Sequence, residues 1–229
     1  MIGDVLLITE NHKKAAQEII KKILQIQSNK IVIAISGESG SGKSELAHMI
    51  AKELKMRAER AKILHTDNYY LISPIERTAW RIKNGISSVG LSEYNWDLLA
   101  QNVKDFKQDK ESTLPCIDLL TDQEDRLITN FSGIRYLLLE GLYALKIHAD
   151  LKIFIDLTYH ETKKAQIMRG KEPQNLFRIQ VLQREHEVVK ELKNLSDIIV
   201  TRDFNIVDSK SSIGIPLDGT PNTNLETGQ

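Results

Sequence analysis

Eight residues, Gly37-Glu38-Ser39-Gly40-Ser41-Gly42-Lys43-Ser44, constrain this chain more than anything else in it. Gly37 and Gly42, with four residues between them and followed by Lys and Ser, fit the phosphate-loop pattern. Glycine lets the backbone turn tightly, so that successive N–H groups converge on one anion. Lys43 adds a mobile positive charge for β- and γ-phosphates, and the Ser44 hydroxyl is a hard oxygen ligand suited to Mg²⁺. The flanks agree. Ile31-Val32-Ile33-Ala34-Ile35 is a continuous apolar run of the kind that forms a buried parallel strand, and Leu46, Met49, Ile50 and Leu54 share one face of a helix that follows. That order sets a helix N-terminus beneath the phosphates, where its dipole favours negative charge.

A chain of 229 residues is one domain, with room for a small lid, and 41% hydrophobic residues suffice for a sizeable core. Net charge is zero, so nothing favours a nucleic-acid or membrane-surface partner. A single cysteine, Cys116, excludes an internal disulfide and a cysteine-rich zinc site. Residues 1–10 carry a brief apolar run with Asp4 before it and no basic region, a poor match to a signal peptide. No apolar run approaches the roughly 18 residues of a membrane span. The expectation is a cytoplasmic protein.

Further apolar runs read as core strands: Ala61–Thr66, Arg135–Gly141, Leu151–Leu157 and Ser196–Thr201. The first of these, which follows the phosphate-loop helix, implies a right-handed parallel crossover. Asp67 then falls at the carboxyl edge of the sheet beside the loop, where ligands of open α/β sheets bind. A carboxylate there can take a proton from an attacking hydroxyl, or hold Mg²⁺ directly or through water; as a plain alternative it caps a turn. Glu140, at the end of the Arg135–Gly141 strand, is placed to organise Mg²⁺, so the metal set is Ser44, Glu140 and Asp67.

Outside the core, Ala15, Ala16, Ile19, Ile20, Ile23 and Ile26 recur at helical spacing. Residues 1–29 therefore read as an added amphipathic helix, and residues 30–208 as the main domain. Residues 71–92 read as irregular or partly helical. Arg77 and Arg81 have helical spacing and face either an anionic acceptor or solvent. A helix starts near Ser92 to Asn95, and Trp96, Leu99, Val103 and Phe106 continue its apolar face. Thr113–Leu120 and Arg126–Phe131 read as a hairpin flap around Thr121–Asp125, with Asp118, Asp122 and Asp125 as substrate candidates or turn residues. His65 and His148 lack companions at metal-ligand spacing and read as structural. Helices from about Tyr159 to Arg169 and from Asn175 to about Leu192 flank a Gly/Pro break bearing Arg169, Lys171 and Arg178. That pattern suits a lid (about 169–178) closing over nucleotide phosphates and excluding water, or else a solvated charged hairpin. From Ser209 to Gln229 the composition is that of a flexible tail.

With these residues in place, the chain resembles the uridine kinase and phosphoribulokinase-like family of P-loop kinases. Asp67-Asn68-Tyr69-Tyr70 resembles the family's Asp-Ser-Phe-Tyr block, whose Asp is the proposed base. Leu114–Asp118 resembles its Pro-x-Tyr-Asp flap, and Glu140-Gly141 its Glu-Gly block. Ser196–Val200 resembles its Ala-Asp-Ile-Ile-Ile strand. The resemblance implies an α/β fold, a three-layer α/β/α P-loop NTPase with a mostly parallel sheet, a small substrate flap and a helical lid. It implies ATP (or GTP) and Mg²⁺, with Asp67, Lys43 and Arg169 catalytic. Together with the reading from residue type and spacing, it makes Asp67, Tyr69, Tyr70, Arg77, Arg81, Asp118 and Asp122 the candidates to contact the acceptor. Gly37 to Ser44 with Arg169, Lys171 and Arg178 hold the nucleotide. Dimers and tetramers occur in the family, so a homo-oligomer is possible. Two positions depart from the uridine kinase pattern: Ile117 stands where Tyr is usual, and Asp122 where His is usual. The phosphotransfer residues carry over, and the base-recognition residues do not. The acceptor is therefore a nucleoside or another small polar alcohol. The rival expectation is a nucleotide-binding regulatory protein with no small-molecule acceptor.

Overall fold

In the structure, a computed structural model that describes residues 2–170 and 175–209, β1 (Ile31–Gly37) is buried at all seven positions. It is buried because it runs inside a six-stranded sheet of order β2-β5-β1-β6-β7-β8. β1 pairs in parallel with β5 (Tyr136–Glu140) on one side and β6 (Leu151–Ile155) on the other. β2 (Ala61–His65) adds to β5, and β7 (Ile198–Val200) to β6, both in parallel. β8 (Ile206–Asp208) closes the edge antiparallel to β7.

Successive strand side chains point to opposite faces, and each face of this sheet has its own core. Ile31, Ile33 and Ile35 pack with Leu46 and Ile50 of α2 (Lys43–Met56) and with Ala15, Ile19 and Ile20 of α1 (Glu10–Ile23). Val32 and Ala34 pack on the other side with Leu99 and Phe106 of α4 (Trp96–Lys107) and Val189 of α6 (Leu176–Leu192). This is the three-layer α/β/α arrangement. α1 starts with a reciprocal cap: Thr9 at the N-cap position and His12 three residues on, where the Thr9 N–H donates to His12 Nδ1.

Some boundaries differ from the sequence-based expectation. Pro74–Asn84 forms a regular helix, α3, capped by Ser73, whose side chain accepts from Glu76 N, with Pro74 in the first turn. These are ordinary start signals, and the neighbouring Gly85 and Gly90 obscure them. α4 begins at Trp96, with the Asn95 side chain accepting from Leu98 N. The hairpin strands are β3 (Glu111–Asp118) and β4 (Gln123–Asn130), a separate two-stranded sheet. Its ladder runs to Asp118 opposite Gln123, so Gln123, Glu124 and Asp125 belong to the strand and not the turn. β4 is largely exposed, so polar side chains there do not oppose pairing. α5 is only Lys163–Arg169, because Thr158 and Glu161 close a separate turn through the Glu161 carboxylate before it. β6 ends at Ile155, and the three-residue β8 is too short to leave a periodic signature. The expected Gly/Pro break at 171–174 and the tail from 210 onward lie outside the described residues. No helix among the described residues is long and apolar enough to cross a membrane.

Ile19 is fully buried between α1 and the sheet, whereas Leu24, at the end of the same helix, is 48% exposed. Ile19→Ala is expected to lower the unfolding free energy by about 2–4 kcal/mol and Leu24→Ala by less than about 0.5 kcal/mol, read from urea midpoints at constant slope.

Candidate active site

The loop between β1 and α2 has the backbone that its glycines foretold. Gly40 and Gly42 have φ of 76° and 94°, in the left-handed region. Their missing side chains matter as well: a Cβ on Gly40 would press on Thr162 and Gln166, and one on Gly42 would meet His12. Lys43 is buried and its Nζ donates to the Glu38 carbonyl at 2.8 Å, curling over the loop. Burial lowers its pKa, while Glu140 and Asp67 work in the opposite direction. The Ser44 hydroxyl donates to Glu140 Oε1 at 3.0 Å.

Glu140 owes its position to strand register. It lies opposite Ile35 of β1 and opposite His65 of β2, so the ends of three strands meet at one carboxylate. His65 Nδ1 is 2.5 Å from Glu140 Oε1. Burial alone would raise the Glu140 pKa, but His65, Lys43 and Ser44 outweigh it and hold the carboxyl down at about 2. His65 thus has a partner at the strand ends beside the loop that the sequence reading did not anticipate. Its spacing to other ligand-type residues says nothing, because its partner is 75 residues away and reached through the sheet.

Asp67 follows β2 in a 3-10 turn, Thr66–Tyr69. Its Oδ1 is buried and has no hydrogen-bond partner among the described residues. The same holds for the Ser41 hydroxyl. The next residue, Asn68, accepts from Ile117 N at 3.3 Å and so ties the turn to the hairpin. Between them lies a cavity of about 560 Å³ walled by Asn68, Tyr70, Asn95, Ile117 and the β4 residues Glu124 to Arg126.

The other expected acceptor residues fall differently. Asp118 accepts from Leu120 N and Asp122 takes a φ of 54°; both shape the hairpin turn and neither lines the cavity. Tyr69 is among the residues lining the cavity, although it is buried and its hydroxyl is taken up by donating to Asn102 Oδ1. Tyr70 also lines the cavity, and the Arg77 guanidinium lies 3.4 Å from its ring centroid. Arg81 is buried in a forked pair with Glu93 at 2.6 and 3.0 Å, with Glu185 at 3.7 Å. Its charge is taken up inside the protein.

Two of the three lid cations are described. Arg178 NH2 approaches Ser39 Oγ at 3.3 Å, and Arg169 NH2 donates to Glu45 Oε1 at 2.6 Å. Lys171 lies outside the described residues. The helices bearing these arginines rest on the phosphate loop through its own side chains. Glu38 accepts from Tyr159 N and pairs with His186 Nδ1, each at 2.6 Å, and Thr162 donates to the Ser39 carbonyl. His186 left no signal in the sequence.

The oxygen donors Ser44 and Glu140 are the hard ligands that Mg²⁺ prefers, and the orphaned Asp67 Oδ1 sits on the same edge. The residues present therefore fit a magnesium ion and an anionic phosphate chain.

Comparison with known proteins agrees with this geometry. The model of the phosphoribulokinase / uridine kinase family matches residues 32–172. A uridine kinase of Ureaplasma urealyticum is 28% identical over 151 residues, covering 63% of this chain and 71% of that protein. A uridine kinase of Haemophilus influenzae is 25% identical over 187 residues, 75% of this chain and 87% of the relative. Among solved structures, a possible uridine kinase from Bacillus stearothermophilus superposes with a TM-score of 0.58 at 18% identity, covering 82% of this chain and 97% of that one. With more than half of its length matched by the family model, this chain belongs to the phosphoribulokinase / uridine kinase family of P-loop kinases.

Proposed function

We propose that the chain transfers the γ-phosphate of ATP to a hydroxyl of a neutral, polar small molecule of about nucleoside size. The observation that carries this reading is Asp67 Oδ1: a buried carboxylate oxygen without a partner among the described residues, one residue from the wall of a large cavity and electrostatically coupled to Lys43. A carboxylate in that position orients an acceptor hydroxyl and takes its proton as the bond to phosphorus forms. The loop amides and Lys43 hold the β- and γ-phosphates. Ser44 and Glu140 are the residues that would hold Mg²⁺, which when bound would neutralise charge on the phosphate oxygens. Arg169, beside Glu45, and Arg178, against Ser39, are the cations that would close on the transferring group and stabilise its charge.

The charge of the cavity wall argues for a neutral acceptor. Glu124 and Asp125 outnumber Arg126, Asn68 and Asn95 are uncharged, and Arg81 is paired elsewhere. Uridine and cytidine are the first candidates, in keeping with the uridine kinases among the relatives. Ile117 gives the wall an apolar contact where uridine kinases usually carry Tyr.

Two outcomes follow. ADP release from MgATP should accelerate with uridine, cytidine or another neutral polyol and stay at its basal rate with ribulose 5-phosphate or glycerate. Acceleration by the anions alone would overturn the neutral-acceptor reading, and slow hydrolysis indifferent to every alcohol would favour a regulatory protein. Asp67→Asn should cut transfer by about 10²–10⁴-fold while MgATP affinity holds, whereas Lys43→Ala should weaken MgATP binding itself. Single-turnover rates and calorimetric titration separate the two.

A further inference from the structure

On the far side of the phosphate loop from the acceptor cavity lies a second hollow of about 360 Å³. Leu7, Leu157, Met168 and Phe204 make it mostly apolar, and His12 and Glu45 are the polar groups of interest. His12 belongs to α1, outside the strand–loop–helix unit. It is only 6% exposed.

The tautomer of His12 follows from its partners. The Thr9 backbone N–H donates to Nδ1 at 3.1 Å, and the Thr9 hydroxyl lies 2.8 Å from the same nitrogen. Nδ1 is thus an acceptor, and the ring hydrogen of the neutral imidazole is on Nε2. Burial lowers the His12 pKa, against the attraction of Glu45, so the neutral form is the relevant one near pH 7. Nε2–H has no acceptor among the described residues. It sits directly over the loop: a Cβ on Gly42 would come within 2.5 Å of it. Buried donors are rarely left unpaired in a native protein, so the atom points to a missing acceptor.

Glu45 supplies the complement. Its Oε1 accepts from Leu7 N at 3.0 Å and from Arg169, while its buried Oε2 has no hydrogen-bond partner among the described residues. His12 and Glu45 both line this apolar hollow next to the phosphate loop, and each keeps one buried polar atom, a donor and an acceptor, without a partner among the described residues. The ribose hydroxyls and base edge of a nucleotide present that combination, and the Phe204 ring, 4.6 Å from His12 and edge-on to it, offers a wall for a planar base. The segment carrying His12 is fixed at both ends of its course. Ile2 exchanges backbone hydrogen bonds with Ile117 and Leu119 of the hairpin region, and Leu7 is held by Glu45.

We propose that α1 is part of the donor site, and that His12 donates a hydrogen bond from Nε2 to the nucleoside half of the bound nucleoside triphosphate. This rests on the kinase reading above and adds to it a specificity residue from outside the P-loop core. A ring that only packs against Phe204 is the rival explanation.

The test compares the full chain with His12→Phe, which keeps a ring and loses the donor, and His12→Gln, which keeps an amide donor near Nε2 and loses the ring. Each is titrated calorimetrically with MgATP and with magnesium tripolyphosphate, which has the phosphates and no nucleoside. The expected result is a MgATP affinity about ten-fold weaker in His12→Phe, largely recovered in His12→Gln, with tripolyphosphate binding alike in all three. Wild-type MgATP affinity in His12→Phe, or equal loss for both ligands, would overturn the assignment and leave the kinase reading intact. A wild-type chain that binds neither ligand would overturn both.

Discussion

A buried carboxylate at a strand end sets the geometry of this protein. Glu140 closes a strand that is otherwise apolar, Tyr136-Leu137-Leu138-Leu139, and it is only 5% exposed. An ionised group so placed is unfavourable unless its oxygens are satisfied. Here Ser44 and Lys43 from the start of α2 and His65 from the end of β2 satisfy it. The arrangement requires β1, β2 and β5 in one parallel register, with Ile35 and His65 both opposite Glu140. A slip of one residue would turn Glu140 to the other face of the sheet and expose three partners at once. The site is in this sense a property of the sheet, and the loop is hung on it.

A second set of charges joins the helices to that loop. Arg81 of α3 pairs with Glu93 and reaches Glu185 of α6; Arg178 also reaches Glu185 at 3.6 Å and touches Ser39. His186, the next residue of α6, pairs with Glu38 of the loop. Removing one member of such a buried set leaves a charge uncompensated, which costs more than the pair contributes. One short stretch of α6 thereby joins α3 and the phosphate loop.

This division explains what the sequence disclosed. The loop, the strands beside it, Asp67 and Glu140 were legible because each depends on local pattern: apolar runs, two glycines, a polar residue at a strand end. His65, His186 and His12 were not, because their meaning lies in partners 75, 148 and 33 residues away, Glu140, Glu38 and Glu45 respectively. Arg81 was misplaced for the same reason. Helical spacing gives a face but not what covers it, and Glu93 and Glu185 cover this one. Asp118 and Asp122 carried the right residue type for a hydroxylated ligand, yet the hairpin register put Glu124, Asp125 and Arg126 on the cavity instead.

The two hollows flanking the loop differ in how much they can share with relatives. Phosphates are held by backbone amides and one lysine, a device that depends on glycine positions and tolerates almost any side chains around it. The acceptor wall is made of side chains on a separate two-stranded hairpin, whose largely exposed strand can change its residues without disturbing the core. The donor hollow draws on an added helix and on Phe204, which lies between β7 and the edge strand β8. Chains can therefore agree in the reaction and diverge in both its reactants. A relative of 28% identity fixes the chemistry of the loop far better than the identity of what it phosphorylates, and on the reading proposed above the choice of acceptor would fall to the cavity wall of Asn68, Ile117 and the β4 carboxylates.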